Sequence, residues 1–97
     1  RELRHEGSCT EGVFADILKA GLARLMGEPE RAVTLYGMAA VLCEQREMVH
    51  LAAATRHRQG ALLGTREGAR MVEQSEQRLH ELGAAQPGRI VVVLLGH

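Results

Sequence analysis

Histidine, arginine and glycine are concentrated between His50 and Leu82, so a search for chemistry begins there. His50 and His57 are seven residues apart, two helical turns, so they share a helix face but stand about 10 Å apart. One metal ion prefers an i,i+4 pair, so the spacing argues against a shared metal. His80 and His97 have no companion at ligand spacing. Arg56, His57 and Arg58, with Arg66 and Arg70 beyond a short turn, form a local basic patch. It reads as an anion or acidic-peptide site near a helix start, where free N–H groups add attraction. The preferred reading is a solvated face paired with Glu67 and Glu73. Gly60, Gly64 and Gly68 recur every four residues, with no following Lys-Ser or Lys-Thr and no preceding strand. Close helix packing accounts for them better than a phosphate loop. Ser8, Ser75, Cys9 and Cys43 lack a companion base at a recognisable spacing, so the expectation is no catalysis, no metal and no cofactor.

Those residues need helices to carry them. The chain has 97 residues, 45% hydrophobic but only 2% aromatic, so its core is built from Leu, Val, Ala and Met. Such a core suits close-packed helices better than a β-sandwich. Twelve basic and twelve acidic residues balance to zero, which argues against a nucleic-acid-binding domain. Two cysteines without metal spacing or a secretory signal favour free thiols in a reducing, cytoplasmic setting. The longest apolar run, Ile90 to Leu95, is too short to span a membrane. The first residue is Arg rather than Met, which suggests a piece of something longer.

In chain order, residues 1–7 read as a charged, frayed lead-in or the tail of an earlier element. Ser8 and Glu11 have capping-box spacing, so a first helix is expected from about Cys9 to Met26. Phe14, Ile17, Leu18, Leu22 and Leu25 recur at threes and fours and predict its buried face. Gly27 ends it and Pro29 opens a second helix running to about Glu47. Ala32, Tyr36, Ala39 and Cys43 face inward there, flanked by Leu35 and Leu42, and the short connection makes the pair antiparallel. A break near Glu47-Met48 rests on a phase slip alone, because residues 45–49 hold no Gly or Pro. A third helix carries Leu51, Ala52, Ala53, Ala54, Gly60, Leu62 and Leu63 up to Gly64. Thr65 caps a fourth, with Val72, Ser75, Leu79 and Leu82 inward, Met71 beside them and Gly83 beyond its end. Pro87 opens a short fifth helix that lays Ile90, Val93 and Leu94 on the hairpin; the competing reading is a strand through Ile90-Val91-Val92-Val93.

Two stretches carry family resemblances. Glu28-Pro-Glu-Arg-Ala32, with Tyr36 and Ala39, resembles the second helix of a tetratricopeptide repeat, and pairs of about 34 residues suit two such units. His50-Leu-Ala-Ala-Ala-Thr-Arg-His-Arg-Gln-Gly60, then Leu62-Leu63-Gly64 and Glu67-Gly68, resembles the C-terminal end of large bacterial serine/threonine kinases and signalling ATPases with helical-repeat arrays. Pro87-Gly88-Arg89 stands where those chains carry a short Pro-x-Arg segment. Gln59, where an apolar residue is usual, and the Val-Val-Val of the tail depart from the pattern. The resemblance implies that the catalytic parts lie upstream and that no active site is inherited here.

The resulting expectation is one all-α domain of antiparallel helical hairpins, residues 8–47 and 48–83, with a packing segment at 84–97. It would serve as a non-catalytic interaction or capping module whose partner is a protein or neighbouring repeats of the same chain. Two alternatives stand beside it: a homodimeric bundle whose seam includes Ile90, Val92, Val93 and Leu94, and a weak nucleic-acid-binding module using residues 56–70.

Overall fold

The computed structural model describes residues 2–95, with side-chain detail for residues 12–87 and 89–95. It contains five helices: α1 (Glu2–Leu25), α2 (Pro29–Gln45), α3 (Val49–Leu63), α4 (Arg66–Glu81) and α5 (Pro87–Leu95). Among the described residues there is no strand, so the valine run is helical. Each of the first four helices packs on its neighbour in sequence, and α5 lies against α3 and α4. The assembly is flat, 43 × 33 × 20 Å.

Local chemistry explains most boundaries. Pro29 occupies the first turn of α2, where its missing N–H costs nothing. Thr65 caps α4, its hydroxyl accepting from the Gly68 N–H at 3.1 Å. Three helices end in the same left-handed closure, in which two consecutive N–H groups bond back to the last turn. After α1, Gly27 donates to Arg24 O and Glu28 to Ala23 O. After α4, Gly83 donates to His80 O and Ala84 to Leu79 O. After α2, Glu47 donates to Glu44 O and Met48 to Cys43 O. Gly27 and Gly83 adopt positive φ cheaply, at 78° and 105°, whereas Glu47 adopts φ 59° with a side chain. The break between α2 and α3 is therefore where the phase slip puts it. Glu47→Gly should raise stability by about 1 kcal/mol, since a non-glycine residue in this region costs about that much. The urea midpoint measures it, and an unchanged midpoint would mean that no strain resides at Glu47.

The core joins Val13, Ile17, Ala20 and Ala23 of α1 to Ala32, Tyr36, Ala39 and Cys43 of α2, then to residues 51–54 of α3. Leu79 of α4 and Val91 and Leu95 of α5 complete it. The inward face expected for α2 is thus observed, and in α3 residues 51–54 and Gly60 are buried while Leu62 and Leu63 are half-buried.

Three expectations are corrected. Helix α1 starts at Glu2 rather than near Ser8, so residues 2–7 belong to it instead of forming a separate lead-in, and Ser8 lies within the helix rather than at its start. One interior Gly, such as Gly7, costs about 1 kcal/mol and does not end a helix. Of the five residues assigned to the inner face of α1, only Ile17 is buried; Phe14, Leu18, Leu22 and Leu25 are exposed. In α5, Val91 and Leu95 are buried and Ile90 and Leu94 half-buried, while Val92 and Val93 face outward. Val93 therefore does not pack on the hairpin.

Candidate functional site

The five basic residues between Arg56 and Arg70 do not share a face. Successive residues of a helix diverge by about 100°, and α3 sends its three in different directions. Arg56 reaches back to α2, with Nε 3.2 Å from Glu44 Oε2 and Nη2 3.3 Å from Glu44 Oε1. Its Nη1 donates to Gln59 Oε1 at 3.1 Å. His57 turns to α4 and donates from Nε2 to the Glu76 carboxylate at 2.8 Å. Arg58 lies within electrostatic reach of Tyr36 and Arg24, where burial and the Arg24 charge lower its pKa and Tyr36 opposes them. Arg66 and Arg70 are exposed on α4. Arg56 thus ties α3 to α2, and His57 ties it to α4.

Tyr36 is fully buried in α2. Burial raises its pKa, against the lowering effects of the Arg58 and Arg24 charges and a side-chain hydrogen bond with Arg24. That hydrogen bond supplies the buried hydroxyl with a polar contact, as a phenol in a dry core requires.

What the structure does assemble is a groove of about 560 Å³ over α3 and α4. Val49, Ala52, Ala53 and Arg56 come from α3, and Met71, Gln74, Ser75 and Arg78 from α4. Each set has i, i+3, i+4, i+7 spacing, one face of a helix, and each ends in arginine. Glu44 of α2 closes one side and holds Arg56. Small side chains leave the floor low and mostly apolar, while Arg78 and Gln74 stand exposed at the edge. Such a surface can seat a bulky apolar side chain and offer hydrogen bonds to the segment that carries it. Composition gave no reason to single out Glu44, Val49, Gln74 or Arg78. The signal was the repeated face spacing, which appears only when both helices are read together.

Among the described residues, two buried hydroxyls are committed to helix backbone. Ser75 Oγ donates to the Met71 carbonyl, and Thr55 Oγ1 donates to the Leu51 carbonyl at 2.7 Å. Both satisfy helix backbone rather than face a base. Among the described residues, no three His, Cys, Asp or Glu side chains converge as a metal site, and no helix is long and apolar enough to cross a membrane.

Cys43 is a free, buried thiol; the side chain of Cys9 lies outside the described residues. Burial first, and then the Glu44 charge, push the Cys43 pKa from 9.0 up to about 11, with a Thr55 hydrogen bond opposing. The thiol thus ionises in the unfolded chain before it does so in the folded one. Stability should fall as pH rises between those two values, by about 2 kcal/mol in all. Tyr36, also raised, adds a loss of the same sign at the top of this range. Urea midpoints of the wild type and Cys43→Ala across this range test it. The variant should lose less, and equal losses would remove the thiol as the cause.

No family model matches the chain, and neither the curated proteins nor the solved structures give a match to it.

Proposed function

We propose that this chain is a non-catalytic protein-interaction module that receives a partner segment in the groove between α3 and α4. The observation that carries the reading is the groove itself, with Ala52, Ala53 and Met71 in its lining and Gln74 and Arg78 exposed at its edge. The resemblance of residues 50–68 to the ends of bacterial kinase and ATPase arrays supports placing it in a signalling protein. Of the polar groups at the groove, Ser75 is tied to the Met71 carbonyl and Arg56 to Glu44, which supports recognition over catalysis.

Capture from cells that encode the chain tests this reading. Gln74→Trp with Arg78→Glu blocks the groove at two exposed positions and should abolish retention of its partner. Arg70→Glu, on the flank of α4, should retain it. Equal retention by all three proteins would remove the groove as the binding surface.

Closure of a helical array is a second reading, carried by a different observation. Helix α5 covers α3 and α4 at one end, while α1 leaves an apolar stripe open at the other. A terminal unit needs one such sealed end and one open face.

A further inference from the structure

The open stripe on α1 is the largest unexplained feature of the molecule. Phe14 is 46% exposed, Leu18 63%, Leu22 58%, Leu25 76% and Met26 72%. With roughly 200 Å² for a fully exposed side chain of this size, these come to about 600 Å² of apolar surface. That is the upper limit of what a monomer usually shows in one patch.

We propose that a second copy of this chain covers the stripe, in a two-fold pairing of α1 against α1. Three observations favour a copy over another occupant. First, Ala15, Leu18, Leu22 and Leu25 follow the 3-4-3 spacing of a two-helix seam, and a two-fold interface needs the same patch on both sides. Second, among the described residues the charged side chain that borders the stripe is Lys19, exposed and three residues before Leu22, and a lysine can lay its stem along apolar surface while its ammonium stays in water. Third, two stripes fully covered would bury about 1,200 Å² in total, which reaches the lower bound for a specific interface.

An antiparallel pairing centred between Leu18 and Leu22 sets Leu18 against Leu22 of the second copy. The same register sets Phe14 against Met26 of the second copy. Phe14 borders a hollow of about 380 Å³ shared with Met48, Leu51 and Leu94, and an unbranched methionine suits such a gap. The tail is the weaker seam, since of its four suggested residues only Val92 and Val93 are exposed.

Sedimentation or light scattering over a wide concentration range tests the pairing. The mass should rise from the 10.6 kDa monomer to twice that value, with a dissociation constant on the order of micromolar for so small an interface. Leu18→Glu with Leu22→Glu should leave a helical monomer and weaken pairing at least about 100-fold. Leu18→Ala with Leu22→Ala, which keeps helix propensity, should weaken it in the same direction and covers failure of the charged pair to fold. Val92→Glu with Val93→Glu should pair like the wild type. A wild type that stays monomeric throughout overturns the proposal and leaves the stripe to a preceding helix pair. Dimers broken by the α5 variant but not by the α1 variants overturn it in favour of the tail.

Discussion

Gly60→Ala should cost the fold roughly 2–4 kcal/mol, although alanine is the better helix former by about 1 kcal/mol. A methyl group at Gly60 would sit 2.6 Å from the Gly68 carbonyl oxygen, 2.8 Å from Met71 Cβ and 3.1 Å from the Val72 nitrogen. Two of these are backbone atoms, which cannot rotate aside, so α3 and α4 would have to separate. Gly68 meets the same obstacle from the other side, with the Gly60 oxygen 2.5 Å from its methyl position. The cost is a large share of the roughly 5–15 kcal/mol expected for a chain of this length. Gly12 supplies the control, since nothing lies within 4 Å of its methyl position. Gly12→Ala should gain up to about 1 kcal/mol, the ordinary helix preference. Urea midpoints of the two variants should therefore move in opposite directions. Gly60→Ala matching Gly12→Ala would mean that the two backbones are not in contact.

Where a local signal fixes local geometry, the sequence was legible. Thr65 caps α4 because its hydroxyl meets an N–H three residues on, and Gly27 and Gly83 mark helix ends because left-handed closure is cheap for them. Glu47 performs the same closure without the residue that announces it, which is why that boundary rested on phase alone. Ser8 failed in the opposite sense. Its capping spacing with Glu11 was real, but a cap works only where a helix starts, and α1 was already under way.

The inner face of α1 was misread for a physical reason. Its apolar arc is wider than one neighbouring helix can cover, and hydrophobicity alone gives preference to the largest residues. Packing instead selected Val13, Ala20 and Ala23, small enough to lie close to Ala32 and Ala39 of α2. The leucines were left outside, and the proposed contact surface of α1 emerged from that choice. The groove over α3 and α4 was illegible for a related reason. Small residues at close spacing signal packing, and only the pairing of two helices shows that part of the face stays open.

Leu79→Ala is the second large effect expected, at about 3 kcal/mol within the usual range of 2–5 for a buried leucine. Helix α4 is rich in charge, and of its side chains only Ser75 and Leu79 are buried. Ser75 is tied to its own helix at Met71, so Leu79 is the one large apolar side chain that α4 places fully in the core. The core cluster it joins also holds Val91 and Leu95 of α5. Removing it leaves a cavity in that cluster and weakens the hold on both helices. Val72→Ala, at a half-buried site on the same helix, should cost only about 1 kcal/mol. Hydrogen exchange distinguishes a local from a spread effect: in Leu79→Ala, amides of α4 and α5 should lose protection before those of α1 and α2. Uniform loss across all five helices would instead show that the bundle opens as a single cooperative unit, with α4 no more loosely attached than the rest.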